Sequence, residues 1–97
     1  MKRALSFLGI LNRGGNLIIG MNVLYAHKGA LLIVAKDASE GSKKKLRDFA
    51  SRLCIPLSET FSQEELGSAL GYEKISCALL SSRHEANAYL AKLEAND

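Results

Sequence analysis

Two histidines, two cysteines and ten carboxylates are the side chains of this 97-residue chain with most to offer catalysis. Their spacing argues against it. His27 stands beside Lys28 at the end of a short helical stretch, and His84 beside Glu85 at the start of another. Neither has a nucleophile or a second acid at a spacing that would make a general acid–base pair, so both read as solvated surface residues. Cys54 and Cys77 lie in apolar surroundings with no CxxC pair and no histidine at metal-ligand spacing, which predicts two reduced core thiols, no disulfide and no zinc site. Asp37 and Glu40 are near each other, but cap and turn duties account for both. Gly14-Gly15 precedes a strand instead of following one, so it is no phosphate-cradling loop. The chain is expected to be no enzyme, with no metal, no cofactor and no small-molecule substrate.

Binding has more to work with. Gly20 lets a partner's backbone come close, Asn22 carries an amide that both donates and accepts, and a helix starting there would present free N–H groups to phosphate. A plain N-cap explains Asn22 about as well. The run Lys43-Lys44-Lys45 reads either as a phosphate contact or as a solvated helix face, and Tyr72 either as a base-stacking ring or as a half-buried neighbour of a helix cap. The formal net charge is +3, and Lys2 to Lys36 contains no acidic residue, so positive charge is concentrated in the first third.

These residues must be positioned by alternating helices and short strands. Leu31-Leu32-Ile33-Val34-Ala35 is an unbroken apolar run after Gly29, as expected of a strand buried on both faces. A basic amphipathic helix follows, with Leu46, Phe49, Ala50 and Leu53 on one stripe and Asp37, Ser39 and Ser42 as candidate caps. Earlier in the chain, Ala4, Phe7, Leu8 and Leu11 stripe a first helix that Gly14-Gly15 ends. Leu17-Ile18-Ile19 forms a strand, and a short helix begins near Met21 or Asn22. Pro56 confines its strand to a sheet edge. Ser62-Gln63-Glu64-Glu65 is a capping box opening a helix that Gly71 closes. Ile75 to Leu80 is the last strand, and Ala86, Tyr89, Leu90 and Leu93 stripe a final helix that frays into residues 94–97.

The pattern predicts an α/β fold: a three-layer α-β-α sandwich around a mixed, mostly parallel four-stranded sheet, in a single domain over residues 1–97. The partner is expected at the loops Gly20 to Asn22, Lys36 to Gly41 and Gly71 to Lys74. No segment approaches the roughly 18 apolar residues of a membrane span, and the start lacks a secretory pattern, so a cytoplasmic protein with no membrane partner is expected.

The segments Leu8 to Gly20, Leu32 to Lys45, Ile55-Pro56 and Glu65 to Gly71 resemble the ribosomal protein L7Ae family, in particular its small bacterial YlxQ-like branch, over nearly the whole chain. The resemblance implies a non-catalytic RNA-binding domain of ribosomal type whose partner is structured RNA, either ribosomal RNA or a kink-turn, a sharply bent internal loop flanked by sheared G·A pairs. It implies that Gly20, Met21 and Asn22 meet the G·A pairs, that Lys36 and Asp37 form the neighbouring loop, and that Glu73, Lys74, Ile75 and Ser76 cover a flipped-out nucleotide. Arg13, Lys28 and Lys36 would contact phosphate. Kink-turn binders commonly carry a glutamate after the asparagine and a lysine one turn later. This chain has Val23 and Ala26, and its Gly20-to-Asp37 segment is shorter by about four residues, one helical turn. Two alternatives stand beside this reading: a protein-interaction module on the same fold, favoured by an exposed apolar patch at Met21, Val23 and Leu24, or an accessory RNA-binding subunit of an RNA-modifying enzyme.

Overall fold

The computed structural model describes residues 2–94. In chain order the elements are α1 (Lys2–Arg13), β1 (Leu17–Ile19), a 3₁₀ helix (Gly20–Tyr25), β2 (Leu31–Val34), α2 (Glu40–Leu53), β3 (Leu57–Ser58), α3 (Gln63–Leu70), β4 (Cys77–Leu80) and α4 (Arg83–Glu94). Residues 95–97, which would complete the expected fraying of the last helix, lie outside the described residues. No helix among the described residues is long and apolar enough to cross a membrane.

Most boundaries follow from local chemistry. Ser62 accepts a hydrogen bond from the Glu65 backbone N–H at 3.1 Å while the Glu65 carboxylate accepts from the Ser62 N–H at 2.9 Å, the expected capping box. Gly71, at φ +84°, closes that helix in the left-handed conformation its missing Cβ permits. Ser39 caps α2 by accepting from the Ser42 N–H at 3.2 Å. Of the other two candidates, Ser42 supplies the N–H that Ser39 caps, and Asp37 turns to a different helix.

The four strands lie in the order β1-β4-β2-β3, so Pro56 does lead into an edge strand. Every residue of β2 and β4 is buried, as befits central strands covered on both faces. α1 packs against both α3 and α4, and α2 packs against β2, completing the α-β-α sandwich. The sheet is mixed, but it is not mostly parallel: β2 pairs with β3 in parallel, whereas β4 runs antiparallel to both β1 and β2. The reason lies in the connection through α3. That helix starts beside the C-terminal end of β2, and the chain then doubles back along it until the Ile75 N–H bonds the Gln63 carbonyl at 3.1 Å and the Ser76 carbonyl accepts from the Ala35 N–H at 2.8 Å. β4 therefore begins where β2 ends and must run against it. β1, β2 and β3 point the same way, with β4 inserted between the first two.

Two smaller differences have local causes. The segment after β1 is a six-residue 3₁₀ helix capped by Ile19 without a side-chain hydrogen bond, so Asn22 lies inside the helix and is no N-cap. Cys77 is buried as expected, but Cys54 is exposed, because it sits at the C-cap of α2 with φ 57°, and the left-handed turn carries its side chain off the buried stripe. Both thiols are free.

Candidate nucleic-acid interface

Because β1 and β2 run in one direction and β4 in the other, the loops that leave β1 and β2 and the loop that enters β4 meet at one end of the sheet. Gly20 makes the first turn possible. At φ +77° with nothing within 4 Å of an added Cβ, it is required by conformation and not by space. Met21 is half-buried, its sulfur 3.9 Å from that of Cys77, and Asn22 is exposed. Burial pushes the Cys77 thiol up from its ordinary value, with a weaker opposing effect from Ser76.

The second loop is stitched to the third through α3. The Lys36 N–H bonds the Phe61 carbonyl at 2.8 Å, and the Asp37 carboxylate accepts from the Gln63 N–H at 2.8 Å while the Gln63 amide returns a bond to the Asp37 carbonyl at 3.2 Å. Asp37 thus holds an N–H in the first turn of α3, a role that occupies one of its oxygens. The third loop is strapped down over the same helix. The Tyr72 N–H bonds the Gly67 carbonyl at 2.8 Å, and a Cβ on Gly67 would lie 2.7 Å from the Glu73 carbonyl oxygen and 2.8 Å from that of Tyr72.

This end presents Asn22, Lys36, Asp37, Glu73 and Lys74 as exposed side chains, with Met21 and Ser76 half-buried. Ile75 is not among them: only 4% exposed, its side chain belongs to the core and cannot face a ligand. Arg13 and Lys28 are exposed, yet neither is brought to this end. Arg13 precedes the start of β1 by four residues, and Lys28 precedes β2, so both lie at the opposite end of the sheet, beyond strands roughly 10 Å long. Of the lysine run, Lys43 is engaged, donating to the Lys36 carbonyl at 2.6 Å and lying 3.8 Å from Glu59. Lys44 and Lys45 are solvated. Tyr72 is 56% exposed beside the helix cap, more open than a half-buried ring. Both histidines are exposed.

Sequence reasoning missed Gln63 and Gly67, which hold the loops in place. A glycine inside a helical pattern costs about 1 kcal/mol relative to alanine, so Gly67 carries a weak signal of a packing demand, whereas nothing marks Gln63. It also passed over Tyr25, 81% exposed at the end of the 3₁₀ helix. Among the described residues no group of three or more His, Cys, Asp or Glu could hold a metal ion.

Residues 6–90 match the ribosomal protein L7Ae/L30e/S12e/Gadd45 family. The chain belongs to that family. An RNA-binding protein YlxQ from Enterococcus faecium is 35% identical over 74 residues, 72% of each chain. Among solved structures, a protein of unknown function from Bacillus halodurans superposes with a TM-score of 0.83 at 24% identity, covering 95% of this chain and 97% of that one. A 15.5 kD RNA-binding protein from Giardia lamblia gives a TM-score of 0.68 at 18% identity over 92% and 79% of the two chains. These likenesses confirm the L7Ae-type fold. Val23, where the resemblance led one to expect a glutamate, is fully buried, and Ala26, where it led one to expect a lysine, is the C-cap of the 3₁₀ helix.

Proposed function

We propose that this protein is a non-catalytic RNA-binding protein of the cytoplasm that holds a sharply bent RNA, of kink-turn or similar type, against the loop end of its sheet. The convergence of Gly20 to Asn22, Lys36-Asp37 and the Glu73 to Ser76 segment on one end carries the reading. The Enterococcus faecium relative, described as RNA-binding, supports it. RNA is read where its bases are splayed out of the helix, and a cluster of loops suits such a target better than a flat face does. In this arrangement the Asn22 amide donates to and accepts from a base edge, and the Glu73 carboxylate accepts from a base amino group. The ammonium groups of Lys36 and Lys74 position the phosphates. Val23 and Ala26 supply neither the acceptor nor the cation common in the family, so Asn22 is left as the base-reading side chain of its turn.

A titration with a labelled kink-turn RNA and a straight duplex of equal length, at low and moderate salt, tests this. The kinked RNA should bind more tightly, and Asn22→Ala should remove the preference. Equal weak binding to both RNAs, unchanged by the substitution, would refute it. The apolar patch that would have favoured a protein partner does not form: Val23 is buried, and Met21 and Leu24 are half-buried.

A further inference from the structure

On the helical face of the molecule, Ile10 is 60% exposed on the outer stripe of α1 and is not part of the core. Beside it, between α1 and α3, runs a groove of about 730 Å³. Its floor is shallow in side chains because the helices touch closely: a Cβ on Gly9 would come 2.9 Å from the Ala69 carbonyl oxygen, and Ser68 and Ala69 form the facing wall. A projecting apolar side chain thus stands next to a hollow whose floor is Gly9 and Ala69, with Ser6 and Ser68 on its walls and Glu65 beside Glu64 toward one end. The groove also has polar ends. α3 starts at the loop end of the sheet, where Asp37 holds Gln63, while α1 finishes at the opposite end, where it leads into β1. Glu64 therefore marks one end and Arg13 the other, separated by roughly 12 Å along the helices. Among the described residues neither has a hydrogen-bond or ion-pair partner.

We propose that this groove binds a second copy of the chain. A two-fold axis through the groove near Ile10 reverses its direction, laying Arg13 against the partner's Glu64 and seating Ile10 over the partner's Gly9 and Ala69. The same patch supplies knob, hollow and both charges in the order that a two-fold axis requires, which is what an isologous interface needs. A short peptide of opposite polarity would match the charges alone. The contact is one helix face and its flanks, so the dimer is a small and reversible one. The loop ends point away from each other and both stay free.

Sedimentation equilibrium from about 1 μM to about 1 mM, a range bracketing weak affinities, tests this on the intact chain. The wild type should pass from monomer to dimer, and Ile10→Asp should weaken association at least about tenfold, as expected for a central anchor. Arg13→Glu and Glu64→Arg should each weaken it, and the double variant should restore it, because the swap returns opposite charges to both contacts. All three positions are exposed, so the variants keep the fold, which circular dichroism verifies. A monomer throughout, or a dimer indifferent to Ile10→Asp and to the charge swap, overturns the proposal and leaves the groove to another partner.

Discussion

Tyr89 is fully buried, and among the described residues no group meets its hydroxyl at full hydrogen-bond geometry. The Ser58 hydroxyl beside it is shared with Thr60 at 3.3 Å. A buried phenol in that state forfeits its hydration without compensation, so Tyr89→Phe should leave stability unchanged or raise it by up to about 1 kcal/mol in urea denaturation. Burial also drives the phenol's pKa well above its ordinary 10.0, and that of Cys77 above 9.0. The folded chain keeps these protons at pH values where the unfolded chain has released them. The stability they contribute is therefore complete below about pH 9 and falls as pH rises past 9.0 and then 10.0. Tyr89→Phe should lose less stability in the upper part of that range. Cys54 carries a different cost. A non-glycine residue at φ 57° is strained by about 1 kcal/mol, so Cys54→Gly should raise stability by about 0.5–1 kcal/mol, read as a higher urea midpoint at unchanged slope. From its neighbours Leu53 and Ile55 alone, Cys54 looks like a core residue. Only the backbone turn reveals otherwise.

At the scale of elements, α3 does more than fill a layer, since its first turn holds Asp37 and its middle holds the loop that enters β4. Gly67→Ala would push a methyl group into the Tyr72 and Glu73 carbonyls, where backbone must move. A loss of about 1–3 kcal/mol is expected in thermal or urea unfolding, together with weaker binding of the kinked RNA than the wild type shows. Features set by neighbours in sequence were legible: the Ser62 capping box, the Gly71 stop, the buried run of β2 and the edge position after Pro56. Features set by distant partners were not. The insertion of β4 between β1 and β2 depends on the Ile75–Gln63 and Ser76–Ala35 backbone bonds, which no periodicity encodes.

For the molecule as a whole, the division of the sheet into two ends decides which cations can serve an RNA. The family resemblance implies that Arg13, Lys28 and Lys36 act together on phosphate, and the acid-free first third agrees with it, because charge density along the chain is visible in the sequence while its distribution over the two ends is not. Lys36 and Lys74 lie at the loop end, and Arg13 and Lys28 at the other. Each phosphate neutralised by a bound cation adds about one to the slope of log affinity against log salt. Lys36→Gln and Lys74→Gln should therefore each weaken kink-turn binding at low salt and flatten that slope by about one, affecting kinked and straight RNA alike. Arg13→Gln and Lys28→Gln remove the same formal charge, yet over more than a Debye length at moderate salt they should leave affinity and slope nearly unchanged. Equal effects from all four substitutions would mean that RNA lies across the whole sheet, and the loop end would lose its claim to be the reading site.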